Sequence, residues 1–124
     1  MTAINDIPMT DIVSEIRRLA AENPDYIYQS RGDACVYVEP DEAGVLVGSC
    51  IVGKALVNLG VNPAELEWEI GTIPGAYHLL RSRVGGASRE VWWIDWVQGE
   101  QDTGYSWADS VASADQERPI EAQS

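Results

Sequence analysis

Apolar residues recur with a helical period over several stretches of this chain. From Thr10, residues Ile12, Val13, Ile16, Leu19 and Ala20 fall on one stripe, with Asp11, Ser14, Glu15, Arg17, Arg18 and Glu22 left for water. Thr10 is the expected N-cap and Asn23-Pro24 the stop. From Ser49 a second helix is predicted, with Ile51, Val52, Ala55, Leu56, Val57 and Leu59 apolar and only Lys54 and Asn58 polar. So apolar a helix belongs in the middle of a core, and Gly60 is its expected C-terminal cap. Asn62-Pro63-Ala64-Glu65 combines a cap, a first-turn proline and a capping-box acid, which predicts a brief helix through Trp68. Pro74 opens a further helical segment to about Val84. Ser88 is placed to cap a helix running to about Gln101, broken by Thr103-Gly104, and Ser106-Trp107-Ala108-Asp109 opens a last helix to about Ala114.

Between the first two helices the pattern changes to β-branched and aromatic residues. Tyr26 to Gln29 and Ala34 to Glu39 flank Ser30-Arg31-Gly32-Asp33, which is hairpin turn chemistry. Alternation puts Val36 and Val38 on one face and Cys35 and Tyr37 on the other. Pro40 to Gly44 forms a second turn, after which Val45 to Val47 supplies a third short strand. The expected architecture is α+β: a small, mainly helical domain with a short antiparallel β-hairpin or three-stranded meander. One domain is expected over residues 9–115, with a flexible N-terminal arm at 1–8 and a flexible polar tail at 116–124.

Composition narrows the function classes. A chain of 124 residues that is 45% hydrophobic can bury one core without metal or disulfide staples. It has neither a run of about 18 apolar residues nor a basic, apolar leader at its start, so no membrane association and a cytoplasmic location are expected. Twenty acidic residues against eight basic ones give a net charge of −12, which repels phosphate backbones and excludes direct nucleic-acid binding. The same charge suits a basic protein partner. Cys35 and Cys50 lack metal-site spacing and fit a reducing compartment as buried thiols, with a facultative Cys35–Cys50 bridge as the other reading.

Gly48-Ser49-Cys50-Ile51-Val52-Gly53-Lys54 matches the phosphate-binding pattern GxxxxGK, but Ala55 stands where a hydroxyl would hold magnesium. Ile51 and Val52 suit a core better than a phosphate, and Gly53 reads as a close-packing residue. His78 is the only histidine, which excludes a multi-histidine metal site. Glu65, Glu67 and Glu69, and Glu100, Asp102 and Asp109, do not follow a calcium-loop spacing and read as solvated charges. No cofactor or metal is expected.

The tryptophans are the most unusual feature. The chain has five Trp and five Tyr but no Phe, and Trp92, Trp93 and Trp96 share one helix. At about 100° per residue they span an arc that Val91, Ile94 and Val97 extend around the helix. Such rings serve either as ordinary core or as interface anchors.

The order Cys35-Val36-Tyr37-Val38, then Gly48-Ser49-Cys50-Ile51-Val52-Gly53-Lys54-Ala55-Leu56-Val57-Asn58-Leu59-Gly60-Val61, then Trp96-Val97-Gln98, Gln101-Asp102-x-Gly104 and Trp107-Ala108-Asp109-Ser110-Val111 resembles small orphan proteins of actinobacteriophages, over most of residues 9–115. The resemblance implies a non-structural accessory protein acting in the host bacterial cytoplasm, and it carries no catalytic or binding residues with it. The expected function is non-enzymatic docking of a host or phage protein through Trp92, Trp93, Trp96, Glu100, Asp102 and Tyr105, with a homodimer through the same helix as a variant. The alternatives are an acidic DNA mimic that occupies a DNA-binding protein and a nucleotide binder built on Gly48 to Lys54.

Overall fold

The computed structural model describes residues 4–29, 35–67, 70–71 and 88–120. The expected turn at Ser30 to Asp33, the helix from Pro74 to Val84 with His78, and Trp68 and Glu69 lie outside the described residues. In chain order come a 3-10 turn Ile4–Asp6, α1 Met9–Glu22, β1 Cys35–Val36, β2 Val38–Pro40, β3 Leu46–Gly48, α2 Ile51–Asn58, α3 Pro63–Leu66, β4 Ile70–Gly71, α4 Arg89–Asp102 and α5 Trp107–Glu117. The fold is a small, mainly helical α+β domain with an antiparallel β-hairpin. Among the described residues no helix is long and apolar enough to cross a membrane.

Local chemistry places most helix ends where the sequence puts them. The Ser88 hydroxyl accepts the Val91 N–H at 3.2 Å, Ser106 accepts that of Asp109 at 3.1 Å, and Asn62 accepts that of Ala64 at 3.1 Å. Both Gly60 and Gly104 have positive φ. In each, the glycine N–H and the N–H after it turn back onto the last helical carbonyls: Gly60 to Val57 and Val61 to Leu56, Gly104 to Gln101 and Tyr105 to Glu100.

The start of α1 differs from expectation. Pro8, not Thr10, is the N-cap, and no side chain caps the helix. Ile7 and Ile12, either side of the entry, are both buried, in the positions of a hydrophobic staple. Ile4 is buried as well, so residues 4–8 are tied to the core rather than forming a loose arm. At the other end α5 continues past Ala114 to Glu117, and Ile120 packs against the core with its carbonyl accepting from Arg89. Residues 116–120 are therefore attached to the domain.

The sheet also differs. Tyr26 to Gln29 does not pair with the following strand; Ile27 bridges Ser106 instead. The carbonyls of Tyr26 and Pro24 accept the Trp107 and Ala108 N–H groups at 2.9 and 3.1 Å, so this segment satisfies the first turn of α5. The hairpin is β2–β3, closed at Asp41–Val45, where the Asp41 carboxylate accepts two backbone N–H groups and Gly44 has φ +83°. β1 pairs with β4. The chain bends between β1 and β2, which buries both Tyr37 and Val38 and interrupts the expected alternation.

Helix α2 lies in the core, with Ile51, Val52, Gly53, Ala55 and Leu56 buried. Its first free N–H, on Ile51, is satisfied from a distant helix: the buried Gln101 side-chain oxygen accepts it at 2.8 Å and also accepts the Trp107 indole N–H at 3.1 Å. Gly53 lies against the strand bend, where an added Cβ would sit 1.8 Å from the Tyr37 carbonyl oxygen.

Gly53→Ala should therefore destabilise the fold by about 3 kcal/mol in urea unfolding, because backbone cannot yield as a flexible side chain does. Gly104→Ala, which meets nothing within 4 Å, should cost only the left-handed strain of about 1–2 kcal/mol. Gln101→Leu leaves two buried donors without an acceptor and should cost about 2–4 kcal/mol by the same measurement.

Candidate functional site

The tryptophan-bearing helix divides its indoles between core and surface. Val91, Trp93, Ile94, Val97, Gln98 and Gln101 are buried, whereas Trp92 is 40% exposed and Trp96 half-buried. Trp93 is at 0% exposure, so the expectation that it contacts a partner is corrected: its ring is sealed in the core. Its indole N–H donates to Asp115 at 2.9 Å, and the Arg17 guanidinium lies 4.7 Å above its ring. Arg17 in turn forks onto both oxygens of Asp115 at 2.6 and 2.8 Å. These three side chains join α1, α4 and α5.

Trp92 and Trp96 stand one turn apart and share a cation. Arg118, just past the end of α5, holds its guanidinium 5.7 Å from the Trp92 ring and 5.3 Å from the Trp96 ring. The Trp96 indole N–H donates to Ser113, whose hydroxyl donates to Glu100. Between them lies an open groove of about 400 Å³ lined by Trp92, Asp95, Trp96, Gly99, Glu100, Thr103 and Arg118. On the other side of Trp92 and Arg118 is a smaller groove of about 220 Å³, completed by Arg89, Glu117 and Pro119. These two residues line both depressions.

Of the sequence-derived site residues, Trp92, Trp96 and Glu100 converge on the groove. Tyr105 is 50% exposed but does not line it, and Asp102 is turned to the Gln101 amide, which donates to it at 2.9 Å. Asp95, Gly99, Thr103 and Arg118 were not anticipated. The first three have a sequence signal, since residues 92, 95, 96, 99 and 103 follow the i, i+3, i+4 stripe of one helix face. Gly99 within that stripe costs the helix about 1 kcal/mol relative to Ala and lines the groove with backbone alone. Arg118 reaches the stripe from another element and has no local signal.

The phosphate-loop reading of Gly48 to Lys54 meets a physical obstacle. The Ser49 N–H donates to Tyr37, that of Cys50 to Val36, that of Ile51 to Gln101, that of Gly53 to the Cys50 sulfur and that of Lys54 to the Cys50 carbonyl. The amides that would cradle a phosphate are occupied by the protein, and Gly48 to Gly53 are buried. Cys50 is a buried free thiol, so no Cys35–Cys50 bridge is present. Among the described residues no three His, Cys, Asp or Glu side chains group as metal ligands. Glu65 and Glu67 are exposed, and Asp109 is exposed on α5.

Comparison with protein-family models, with curated proteins and with solved structures finds no match to this chain.

The ion pair behind the groove has a pH consequence. The Arg17 hydrogen bond, assisted by the Trp93 N–H and opposed by partial burial, holds the Asp115 carboxyl below its usual value. Its stabilising contribution is thus present above the ordinary aspartate pKa and lost as pH falls through the lowered folded value. Both partners are 44% exposed, so the contribution is about 1 kcal/mol or less. Asp115→Asn should lower the urea midpoint at neutral pH, and the gap from the parent chain should close in strong acid. A gap that stays constant with pH would assign the effect to lost packing around Trp93 instead.

Proposed function

We propose that this chain is a non-enzymatic interaction protein of phage accessory type, acting in the host cytoplasm, that docks a protein partner through the Trp92–Trp96–Arg118 groove. The observation that carries the reading is the pair of incompletely buried indoles at a depression whose rim bears Asp95 and Glu100. Trp and Arg are the side chains most often found as binding anchors, because they bury large areas while keeping a polar edge. The indoles and the Glu100 carboxylate on the rim favour a partner segment that brings an apolar side chain and a basic one. The excess of acidic residues strengthens that preference at long range and speeds encounter with a basic surface.

The other readings draw less support. Glu15 and Glu22 are paired with Arg18, and Asp115 with Arg17, so part of the charge a DNA mimic would present is neutralised within the chain. A second copy of the chain is the variant of docking in which the partner is itself, and sedimentation equilibrium separates it from a foreign partner by mass.

Affinity capture from a lysate of an actinobacterial host tests the proposal. Trp92→Ala should remove the captured protein while the chain stays folded, with stability lowered by about 1–2 kcal/mol for the buried part of the ring and its Arg118 contact. Asp95→Lys should weaken capture by about tenfold or more. Tyr105→Ala, outside the groove, should leave it intact. A partner retained equally by all three variants overturns the assignment of this groove.

A further inference from the structure

A second groove, of about 440 Å³, shares no lining residue with the first. Its walls include Leu46, Val47 and Gly48, which are the whole of β3, together with Tyr26, Trp107 and Lys54. Successive residues of a strand face opposite sides of a sheet, so a depression that touches all three runs along the edge of the strand. The register shows which edge. The Ser49 N–H donates to Tyr37 and the Asp41 N–H to Val45, each at 2.8 Å, which makes Glu39 and Val47 a bonded pair between them. By the alternation of antiparallel ladders, the N–H and C=O groups of Leu46 and Gly48 turn away from β2; Gly48 is buried against the first turn of α2, so those of Leu46 are the accessible pair.

The two edges of the hairpin are not treated alike. On β2 an outward position is occupied by Pro40, which has no N–H to offer and blunts that edge. β3 carries no proline, although α2 and α3 pack beside it. Tyr26, Ile27, Val45 and Val47, beside the groove or lining it, are all large apolar residues left exposed.

Lys54 adds a charge requirement. It is the only lysine in a chain with twenty acidic residues, yet this half-buried side chain makes no ion pair among the described residues. The nearby Asn58 amide donates to Glu15, which Arg18 already neutralises. An apolar edge with outward backbone groups and one uncommitted ammonium matches one kind of occupant. We propose that β3 receives an extended peptide ending in a free carboxylate, which adds a strand to the β2–β3 hairpin and sets its terminal carboxylate against Lys54. The accessible Leu46 groups pair with one peptide residue, so a segment of about three residues suffices. This site is independent of the tryptophan groove, so either can fail without the other.

The test is an amide-resolved NMR titration of the full chain with acetyl-Val-Thr-Val as the free acid and as its C-terminal amide. The free acid should shift the Leu46 amide and slow its exchange, and should shift the Trp107 indole. It should bind about tenfold more tightly than the amide form. Lys54→Met keeps the aliphatic stem; it should bring the free acid to the affinity of the amide form and leave that of the amide form unchanged, which also reports an intact hairpin. Equal binding of the two peptides to the parent chain, shifts confined to residues away from β3, or no shift up to about 10 mM peptide overturns the proposal. Shifts of Leu46 with protein concentration alone also overturn it, by assigning the edge to a second copy.

Discussion

The fold turns on one side-chain oxygen. Gln101 is fully buried, and its carboxamide accepts the Ile51 N–H at the start of α2 and the indole N–H of Trp107 at the start of α5. Neither donor has a solvent route, so each would be left unsatisfied without it, and an unpaired buried donor costs more than a formed hydrogen bond returns. The same oxygen therefore fixes three helices at one point. Gln98, one turn earlier and also buried, has no partner for either amide atom, which shows how far position rather than residue type decides the value of a buried amide.

Fixing α4 in this way decides which of its faces meets water. With Val91, Ile94, Val97 and Gln101 committed inward, the stripe through Trp92, Trp96, Gly99 and Thr103 is left outward, and α5 can cover only part of it. Ser113 and Arg118 come from the covering segment and meet the indoles at their polar edge and face. The groove is thus a by-product of how the core is closed. Helix α2 shows the opposite outcome: committed on nearly every side, it has no room for the phosphate its sequence pattern suggests.

What could be read from the sequence was local. Ser88, Ser106 and Asn62 act through bonds spanning two or three residues, and Gly60 and Gly104 through backbone conformation, so each is visible in a short window. Gly53 was legible as a close-packing residue, although its neighbour, the Tyr37 carbonyl, was not. The β2–β3 hairpin was legible from the turn at Pro40 to Gly44, whereas the other pairings were not, because β-pairs two residues long carry almost no pattern: β1 finds β4 across much of the chain, and Tyr26 to Gln29 serves α5 rather than a sheet. The tryptophans were legible only as a group. α4 is apolar on most sides, so nothing in its own residues tells Trp92 from Trp93; Arg17 and Asp115, from two other helices, make the distinction.

The scarcity of cations makes their placement informative. Arg17 and Arg18 neutralise carboxylates, Arg89 reaches a carbonyl, and Arg118 spreads over two indoles. Each of these contacts joins separate parts of the chain or quiets a local excess of negative charge, as expected in a protein of net charge −12. Lys54 does neither among the described residues, although exposed carboxylates are plentiful. Folding alone does not require such a pair, because exposed ion pairs contribute about 1 kcal/mol or less, and a lysine whose stem lies along α2 also gives that apolar helix its polar side. Its place on the same groove as Leu46 leaves the ammonium available to an incoming carboxylate.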